Sequence, residues 1–238
     1  MRNGHPFLSV IIPVYNGAKF LSETVESVRR QNYPDLEVLI IDDGSTDQTA
    51  KIASRLKGNV SYYYQRRKGV SAARNHGIKL SGGQWVGFLD QDDLWAKNKL
   101  GIQTAAIRRH PDAKIVMGRV QVFKSRKKRK GLYKISSPFA GFFLGSALIK
   151  KSVFTKVGLF DESLSLREDG ELREDGDWFL RAMEINVPKV LIKDVVLYYR
   201  LHRNNMTRGL WGDYMAAMLK VWMNRRREIK SGVSYPKP

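Results

Sequence analysis

Residues 36–47 read Leu-Glu-Val-Leu-Ile-Ile-Asp-Asp-Gly-Ser-Thr-Asp, an apolar run that passes directly into an acidic turn. Residues 36–41 have the composition of a strand that is buried on both faces. In the turn, Ser45 or Thr46 is expected to cap a following helix, because either hydroxyl can accept a hydrogen bond from its first N–H groups. A buried strand that leads through a polar turn into a helix predicts one unit of an α/β sheet.

The segments on either side repeat this arrangement. Residues 8–12, 60–64 and 85–89 predict three further strands, and Val70–Leu80 predicts a helix whose small residues permit close packing. Alternating strands and helices predict a largely parallel sheet covered by helices over the first hundred residues.

The pattern changes in the second half of the chain. Residues 115–123 alternate like a sheet strand, and a basic run at 124–130 separates them from a short apolar stretch at 132–135. This arrangement predicts two strands joined by a cationic loop. Two further helices are predicted near residues 178–186 and 214–228.

The composition limits the class of protein. The 238 residues include no cysteine, which excludes disulfides, zinc fingers and thiol catalysis. Residues 1–7 do not resemble a secretory leader, and the longest mostly apolar run, residues 139–149, is shorter than the roughly 20 residues that cross a bilayer. We therefore expect a cytoplasmic protein without a membrane-spanning segment.

The net charge is strongly positive. Lys and Arg number 42 against 23 acidic residues, which gives a charge of +19 and a sequence pI of about 10.1. A cationic surface favours a polyanionic partner, and the charge alone leaves open nucleic acid, an anionic membrane or a phosphate-bearing substrate.

Three predicted strands end in chemically distinctive residues, namely Pro-Val-Tyr-Asn at 13–16, Asp-Asp-Gly-Ser at 42–45 and Asp-Gln-Asp-Asp at 90–93. Because ligands bind at the carboxyl ends of parallel strands, these residues are expected to converge at one edge of the sheet. An Asp-x-Asp pair suits Mg²⁺ or Mn²⁺, with substrate phosphates as further ligands. Each motif alone is also explained by a turn or a helix cap, whereas their combination indicates metal-assisted chemistry on a diphosphate.

Several blocks together resemble the successive signatures of glycosyltransferase family 2 in order and in spacing. The donor-side blocks are residues 10–16 (VIIPVYN), 40–47 (IIDDGSTD), 73–77 (ARNHG) and 88–93 (FLDQDD). Residues 158–162 (GLFDE) and 174–181 (EDGDWFLR) resemble the acceptor-side region of the family. The resemblance covers about residues 8–207.

The resemblance implies an α/β fold of the GT-A (Rossmann-like) type, with a mostly parallel sheet flanked by helices. Residues 1–207 are expected to form the catalytic domain, with a nucleotide-sugar-binding half over 1–100 and an acceptor-side half over 101–207. Residues 208–238 are expected to form a C-terminal helical extension. The implied activity is a metal-dependent, inverting transfer of a sugar from a nucleotide-diphospho-sugar, by default a UDP-sugar, to a hydroxyl of a glycan or a lipid-linked acceptor.

The donor-binding residues of the family carry over position by position. Pro13 and Tyr15 are expected to shape the pocket of the nucleotide base, and Asp43 to hydrogen-bond its edge. Arg74 is expected near the ribose or the diphosphate, and Asp90 at the ribose or in the metal shell.

The metal and the acceptor have their own candidates. Asp92 is expected to bind the Mn²⁺ or Mg²⁺ ion directly, and His202 is a candidate for the metal or the diphosphate, although a structural histidine fits the same position. Asp175 is the expected general base, which removes the proton of the acceptor hydroxyl. The similar acid pair at 168–169 is the alternative, and the pair at 174–175 is preferred because residues 177–181 follow it as in the family.

The sequence leaves alternatives for the partner of the positive charge and for the activity. The basic run 124–130 and the amphipathic helix at 214–228 would suit the inner face of an anionic membrane, although for the helix packing on the catalytic domain is preferred. No nucleic acid partner is expected, because no familiar nucleic-acid-binding motif is visible. A nucleotidyltransferase, or a non-catalytic basic module that binds nucleic acid or an anionic membrane, is the alternative function.

Overall fold

The computed structural model describes residues 6–125, 132–164 and 174–202. Its strands are β1 (Leu8–Val14), β2 (Leu36–Asp43), β3 (Val60–Gln65), β4 (Trp85–Phe88), β5 (Leu94–Trp95), β6 (Ile115–Ser125), β7 (Leu132–Lys134), β8 (Ala147–Lys150) and β9 (Lys189–Arg200). Its helices are α1 (Leu21–Arg29), α2 (Thr49–Ala53), α3 (Val70–Leu80), α4 (Lys99–Arg109), α5 (Ser152–Val157) and α6 (Glu174–Glu184), and a 3₁₀ turn at Leu144–Ser146 precedes β8.

All the described strands belong to one sheet, with the order β3-β2-β1-β4-β8-β6-β9-β5 and with β7 added to β6. The first four strands of this order are parallel, and Ile11 of β1 lies opposite Leu39 of β2 and Phe88 of β4. β6 and β9 are also parallel, whereas β8, β5 and β7 run antiparallel to their neighbours. The predicted α/β architecture is confirmed.

The sheet curls, so that strands distant in its order approach each other in space. β5 follows β4 closely along the chain, yet it lies at the far end of the sheet beside β9. A Cβ atom on Gly87 of β4 would lie 3.0 Å from the ring of Trp95 of β5, so glycine is needed for this approach. The short connection at 89–93, which carries the predicted metal-binding motif, is therefore held between two closely packed strands.

The two faces of β1 belong to two different cores. All seven residues of β1 are buried. Ile11 packs in the cluster that contains Ala73 of α3, whereas Val10 and Ile12 pack in the cluster that contains Val25 of α1. Because successive strand residues point to opposite faces, a strand covered on both sides has a continuous apolar sequence, as residues 10–12 do.

The predicted helix cap is wrong. α2 begins at Thr49, and the carboxylate of Asp47, rather than Ser45 or Thr46, accepts a hydrogen bond from the Thr49 N–H at 2.9 Å. The Ser45 hydroxyl accepts instead from the backbone N–H of Asn16, at 2.9 Å, so its side chain serves a contact between two loops. α6 also begins earlier than predicted, at Glu174.

Some elements were not predicted from the sequence, and some predictions cannot be compared. β9, which pairs with β6 and β5, has no counterpart among the predicted strands. β6 and β7 occur where two strands were predicted. Residues 126–131, within the predicted cationic loop, and residues 203–238, with the predicted C-terminal helix and extension, lie outside the described residues. Within the part of the chain that is described, no helix combines the length and the apolar character needed to cross a membrane.

Candidate active site

The loops that follow β1, β2 and β4 lie at one edge of the sheet, because these strands are parallel neighbours. Asn16 ties the first two loops together. Its N–H donates to the Ser45 hydroxyl at 2.9 Å, and its side-chain oxygen accepts from the Thr46 N–H at 2.8 Å. The predicted convergence of the three motifs thus has a direct geometric basis.

Gln91 fastens the loop after β1 to the acidic loop after β4. Its side-chain oxygen accepts from the Tyr15 N–H at 2.8 Å, and its side-chain nitrogen donates to the Tyr15 carbonyl at 3.0 Å. A Cβ on Gly17 would lie 2.5 Å from the same Gln91 oxygen, so only glycine leaves room for this contact. The central residue of the Asp-Gln-Asp motif therefore fixes the position of the predicted base-binding tyrosine.

The predicted base-binding residues are joined by the segment that follows β3. The guanidinium carbon of Arg67 lies 3.5 Å from the centroid of the Tyr15 ring. The adjacent Lys68 donates its backbone N–H to the carboxylate of Asp43 at 2.8 Å. Pro13 is buried in β1, opposite Ile41 of β2. Tyr15 and Asp43 therefore contact consecutive residues of the same segment.

Arg74 stands between two carboxylates that come from different parts of the chain. Its guanidinium donates to Asp90 at 2.9 Å and also to Glu174 of α6. The Arg74 side chain is 5% exposed, whereas that of Asp90 is 48% exposed. Burial opposes the charge of Arg74, but the carboxylates of Asp90 and Glu174 outweigh burial and raise the pKa of Arg74. The arginine therefore stays charged and joins the donor-side motif to α6.

Asp92 and His202 are brought together from positions far apart in the sequence. His202 Nε2 lies 2.7 Å from Asp92 Oδ2, and the ring of Phe20 packs against the imidazole with its centroid 5.2 Å away. Burial, followed by the negative charge of Asp90, raises the pKa of the Asp92 carboxyl, while His202 acts in the opposite direction. A carboxylate in this environment is stabilised by any additional positive charge.

A buried arginine of β9 holds the backbone of the acidic loop. Arg200 donates from its side chain to the Asp92 carbonyl and from its backbone N–H to the Asp93 carboxylate at 2.7 Å. The guanidinium also donates to Glu23 of α1 at 2.8 Å and lies 4.6 Å from the Phe20 ring centroid. Because Arg200 is 1% exposed, the loop is anchored from inside the protein.

The predicted base lies in the first turn of α6. Asp175 is partly exposed, and one of its carboxylate oxygens accepts from the Gly176 N–H at 2.8 Å. Its negative charge contributes, after those of Asp90 and Glu174, to the raised pKa of Arg74. Asp175 thus lies near the ion-pair cluster. The alternative acid pair, residues 168–169, lies outside the described residues.

The structure groups two of the three predicted metal-site residues. Asp92 contacts His202, whereas the carboxylate of Asp90 is engaged by Arg74. Among residues 6–125, 132–164 and 174–202, no three His, Asp or Glu side chains are grouped as a self-sufficient metal site. The carboxylate of Asp92 nevertheless fits an ion such as Mg²⁺ or Mn²⁺, which takes further oxygen ligands from waters and substrate phosphates.

Sequence reasoning missed the residues that position these groups. Gln91, Glu174 and Arg200 were not assigned roles, although all three contact predicted site residues or their backbone. For Gln91 a signal was present, since an amide between carboxylates can donate and accept at once. For Glu174 and Arg200 no local signal was present, because their partners come from distant parts of the chain.

The comparisons with known proteins agree with this geometry. The model of the family described as glycosyl transferase family 2 matches residues 9–161. An uncharacterized glycosyltransferase of Rickettsia typhi is 32% identical over 241 residues, which cover 92% of this chain and 74% of the relative. The protein therefore belongs to glycosyltransferase family 2 and is a glycosyltransferase.

Solved structures show the same fold. The structure of S. aureus TarS 1-349 in complex with UDP-GlcNAc superposes with a TM-score of 0.66 at 22% identity, covering 85% of this chain and 60% of that one. The complex of TarS 1-349 with UDP gives a TM-score of 0.64 at 23% identity, covering 82% and 60%. A longer relative from Rickettsia felis is 38% identical over 168 residues, but only 27% of its length is covered. This chain thus spans part of several longer proteins.

Proposed function

We propose that the protein transfers a sugar from a nucleotide-diphospho-sugar to an acceptor hydroxyl with inversion at the anomeric carbon. The observation that carries this proposal is the bridge made by Arg74. One guanidinium binds both Asp90, two residues from the proposed metal ligand, and Glu174, next to the proposed base. The residues that bind the sugar donor and those that bind the acceptor would then lie around one ion-pair cluster. A single displacement requires this proximity.

In the proposed reaction, the oxygen of the acceptor hydroxyl forms a bond to the anomeric carbon while the bond from that carbon to the diphosphate oxygen breaks. The hydroxyl proton passes to the carboxylate of Asp175, which lies in the first turn of α6. The diphosphate leaves with the bonding electron pair, and the buried charge of Arg74 stabilises it there.

We assign the proposed metal site to Asp92 and His202, with Asp90 in its outer shell. A bound Mn²⁺ or Mg²⁺ would supply Lewis-acid stabilisation of the leaving diphosphate. The protein contributes the orientation, because Arg200 fixes the backbone of Asp92 from the interior of the sheet. Gln91 connects this loop to Tyr15 in the proposed base pocket.

The donor is proposed to be a UDP-sugar, and the acceptor a glycan or a lipid-linked glycan. UDP and UDP-GlcNAc occupy the solved complexes of TarS, which shares the fold. In the proposed pocket, Pro13 and Tyr15 border the base, Asp43 binds its edge, and Arg74 and Asp90 lie toward the ribose and diphosphate. Attachment to the inner face of an anionic membrane stays a prediction, since its proposed determinants are mainly at 126–131 and 203–238, outside the described residues.

The test of this proposal measures UDP release from UDP-sugars, beginning with UDP-GlcNAc, with Mn²⁺ and a panel of simple sugars as acceptors. Asp175→Asn should bind UDP with unchanged affinity but turn over at least about 100-fold more slowly, because general-base catalysis is lost. Asp112→Asn, at an exposed position, is the control.

Two outcomes would contradict parts of the proposal. Full activity of Asp175→Asn together with an inactive Asp169→Asn would move the base to the alternative acid pair. Release of sugar 1-phosphate instead of UDP would indicate nucleotidyl transfer, the alternative enzyme activity.

A further inference from the structure

The carboxylate of Asp43 is largely saturated by hydrogen bonds from its own chain. Oδ1 accepts from the side-chain amide of Gln65 and from the Lys68 N–H, both at 2.8 Å. Oδ2 accepts from the Gly69 N–H at 2.8 Å. Asp43 is 5% exposed, so little of its surface is accessible to a ligand.

His76 of α3 fixes the amide of Gln65 from the other side. Its Nδ1 lies 2.9 Å from the side-chain oxygen of Gln65, while the nitrogen of the same amide faces Asp43. Turning the amide over would place its oxygen against a carboxylate, which repels it, so the Nδ1 of His76 is the donor. Gln65 therefore has one orientation, with His76 and Asp43 as its two partners.

The hydrogen bonds from the chain determine how many further hydrogen bonds Asp43 can accept from a ligand. An ionised carboxylate has about four acceptor positions, two on each oxygen. Oδ1 already accepts two hydrogen bonds and Oδ2 accepts one, which leaves one position on Oδ2. A base that presents a single N–H, the imide of uracil or thymine, can be satisfied there. Guanine presents two adjacent donors, and the second would meet an oxygen that is already filled.

We propose that Gln65, held by His76, is a specificity-determining residue that restricts the donor to nucleotides with a single imide N–H and rejects guanine. The inference rests on the proposed function, in which Asp43 binds the edge of the base. Specificity arises here from an unfavourable site for the wrong base, rather than from a new contact with the right one. Gln65 positions Asp43 and blocks one of its oxygens.

The test compares the affinities of UDP, dTDP and GDP in the presence of Mn²⁺, by displacement of a fluorescent UDP analogue from the full chain. The wild type should bind UDP and dTDP at least about tenfold more tightly than GDP, the effect of one unsatisfied hydrogen-bonding group. Gln65→Leu keeps a similar volume but frees Oδ1, so the ratio of GDP to UDP dissociation constants should fall about tenfold. Gln48→Leu changes the same residue type at an exposed position and should leave the ratio unchanged.

Further variants separate selectivity from general damage. His76→Ala should also lower the ratio of GDP to UDP dissociation constants, but by less than Gln65→Leu, because Gln65 keeps its bond to Asp43. A merely structural role for Gln65 would weaken UDP and GDP equally, and an unchanged ratio in folded Gln65→Leu would therefore overturn the inference. A wild type that prefers GDP overturns it while leaving sugar transfer intact. A wild type that binds none of the three nucleotides overturns this inference and the proposed function together.

Discussion

Aspartates of the same edge acquire different properties from their immediate surroundings. Asp43 is hydrogen-bonded by its own chain, Asp90 is paired with an arginine and half exposed, and Asp92 contacts a histidine. Asp93 is buried, and burial with the charges of the neighbouring aspartates raises its pKa well above the ordinary range. These environments agree with the functions that we propose: Asp43 recognises the base, Asp90 lies toward the diphosphate, and Asp92 binds the metal.

The role of Asp92 can be tested by removing its carboxylate. Asp92→Ala should weaken Mn²⁺-dependent UDP binding about 100-fold, to the affinity that the wild type shows in EDTA, because the ion loses a direct ligand. Titration calorimetry with and without Mn²⁺ measures both values, and circular dichroism checks the fold. Asp112→Ala is the control on an exposed loop. Retained Mn²⁺ dependence in Asp92→Ala would rule out the assignment.

Single residues differ in how far the sequence reveals them. Asp90 and Asp92 could be identified because they directly follow an apolar run. The contact between Asp92 and His202 could not be derived from local pattern, since it depends on β9 returning to the acidic loop. Arg200 could not be recognised as buried, because in a chain with 42 basic residues most arginines are expected at the surface.

At the level of elements, β9 is the support of the acidic loop. Its last residues reach β5 and the loop at 89–93, and Arg200 there contacts the loop from the interior. The hydroxyl of Thr24 holds the carbonyls of Gln91 and Asp93, and Arg200 adds the contact to the carbonyl of Asp92 itself. The strand thus couples the second half of the fold to the proposed metal site of the first half.

Arg200→Met tests this coupling. Loss of a buried, hydrogen-bonded charge should reduce stability by about 3–5 kcal/mol and lower the midpoint of thermal unfolding by roughly 10 °C. In protein that is still folded at 15 °C, Mn²⁺-dependent UDP affinity should fall about 10–100-fold, as expected when a group that orients a ligand is removed, while affinity in EDTA changes little.

Glu23→Gln is the matched control for that variant. It removes only the exposed partner of Arg200, with 55% of its side chain accessible, so the effect on unfolding should be below about 1 kcal/mol. Equal loss of UDP affinity with Mn²⁺ and with EDTA in Arg200→Met would contradict a role in orienting Asp92.

The sequence predicts best the elements whose residue types are determined mainly by burial. β1, β2 and β4 are largely covered on both faces, so they appear as mainly apolar runs, interrupted in β1 by Ser9 and in β2 by Glu37. β9 lies in the same sheet, but much of it is exposed or only partly buried, and its lysines and aspartate obscure the strand pattern. The contact of Asp47 with the first residue of α2 was missed because several neighbouring polar residues could make it, and the loop after β1 engages Ser45 instead.

Within the described part of the chain, one continuous sheet joins the two halves of the sequence and separates its two larger apolar cores. Alternate residues of β1 enter each core, and Arg74 connects the loop after β4 to α6 across the edge. The proposed donor and acceptor groups are therefore positioned by a single packed unit.

The net charge of +19 leads to a prediction for the complete chain. Vesicles with about 30% anionic lipid should sediment the protein at low salt and release it at high salt, because each basic residue near the surface contributes about 1 kcal/mol that ions screen. Replacing the six basic residues of 124–130 with Gln should weaken this binding at least about tenfold. Unchanged binding of that variant would exclude the loop as the contact.

We expect the edge formed by β1, β2 and β4 to bind a nucleotide diphosphate together with a divalent ion. Titration calorimetry of the full chain with UDP, in Mn²⁺ and then in EDTA, measures this binding. One UDP should bind per chain with Mn²⁺, and the affinity should be reduced at least about 100-fold in EDTA. Absence of UDP binding in both conditions would contradict the nucleotide site, and equal affinity in both would contradict the metal.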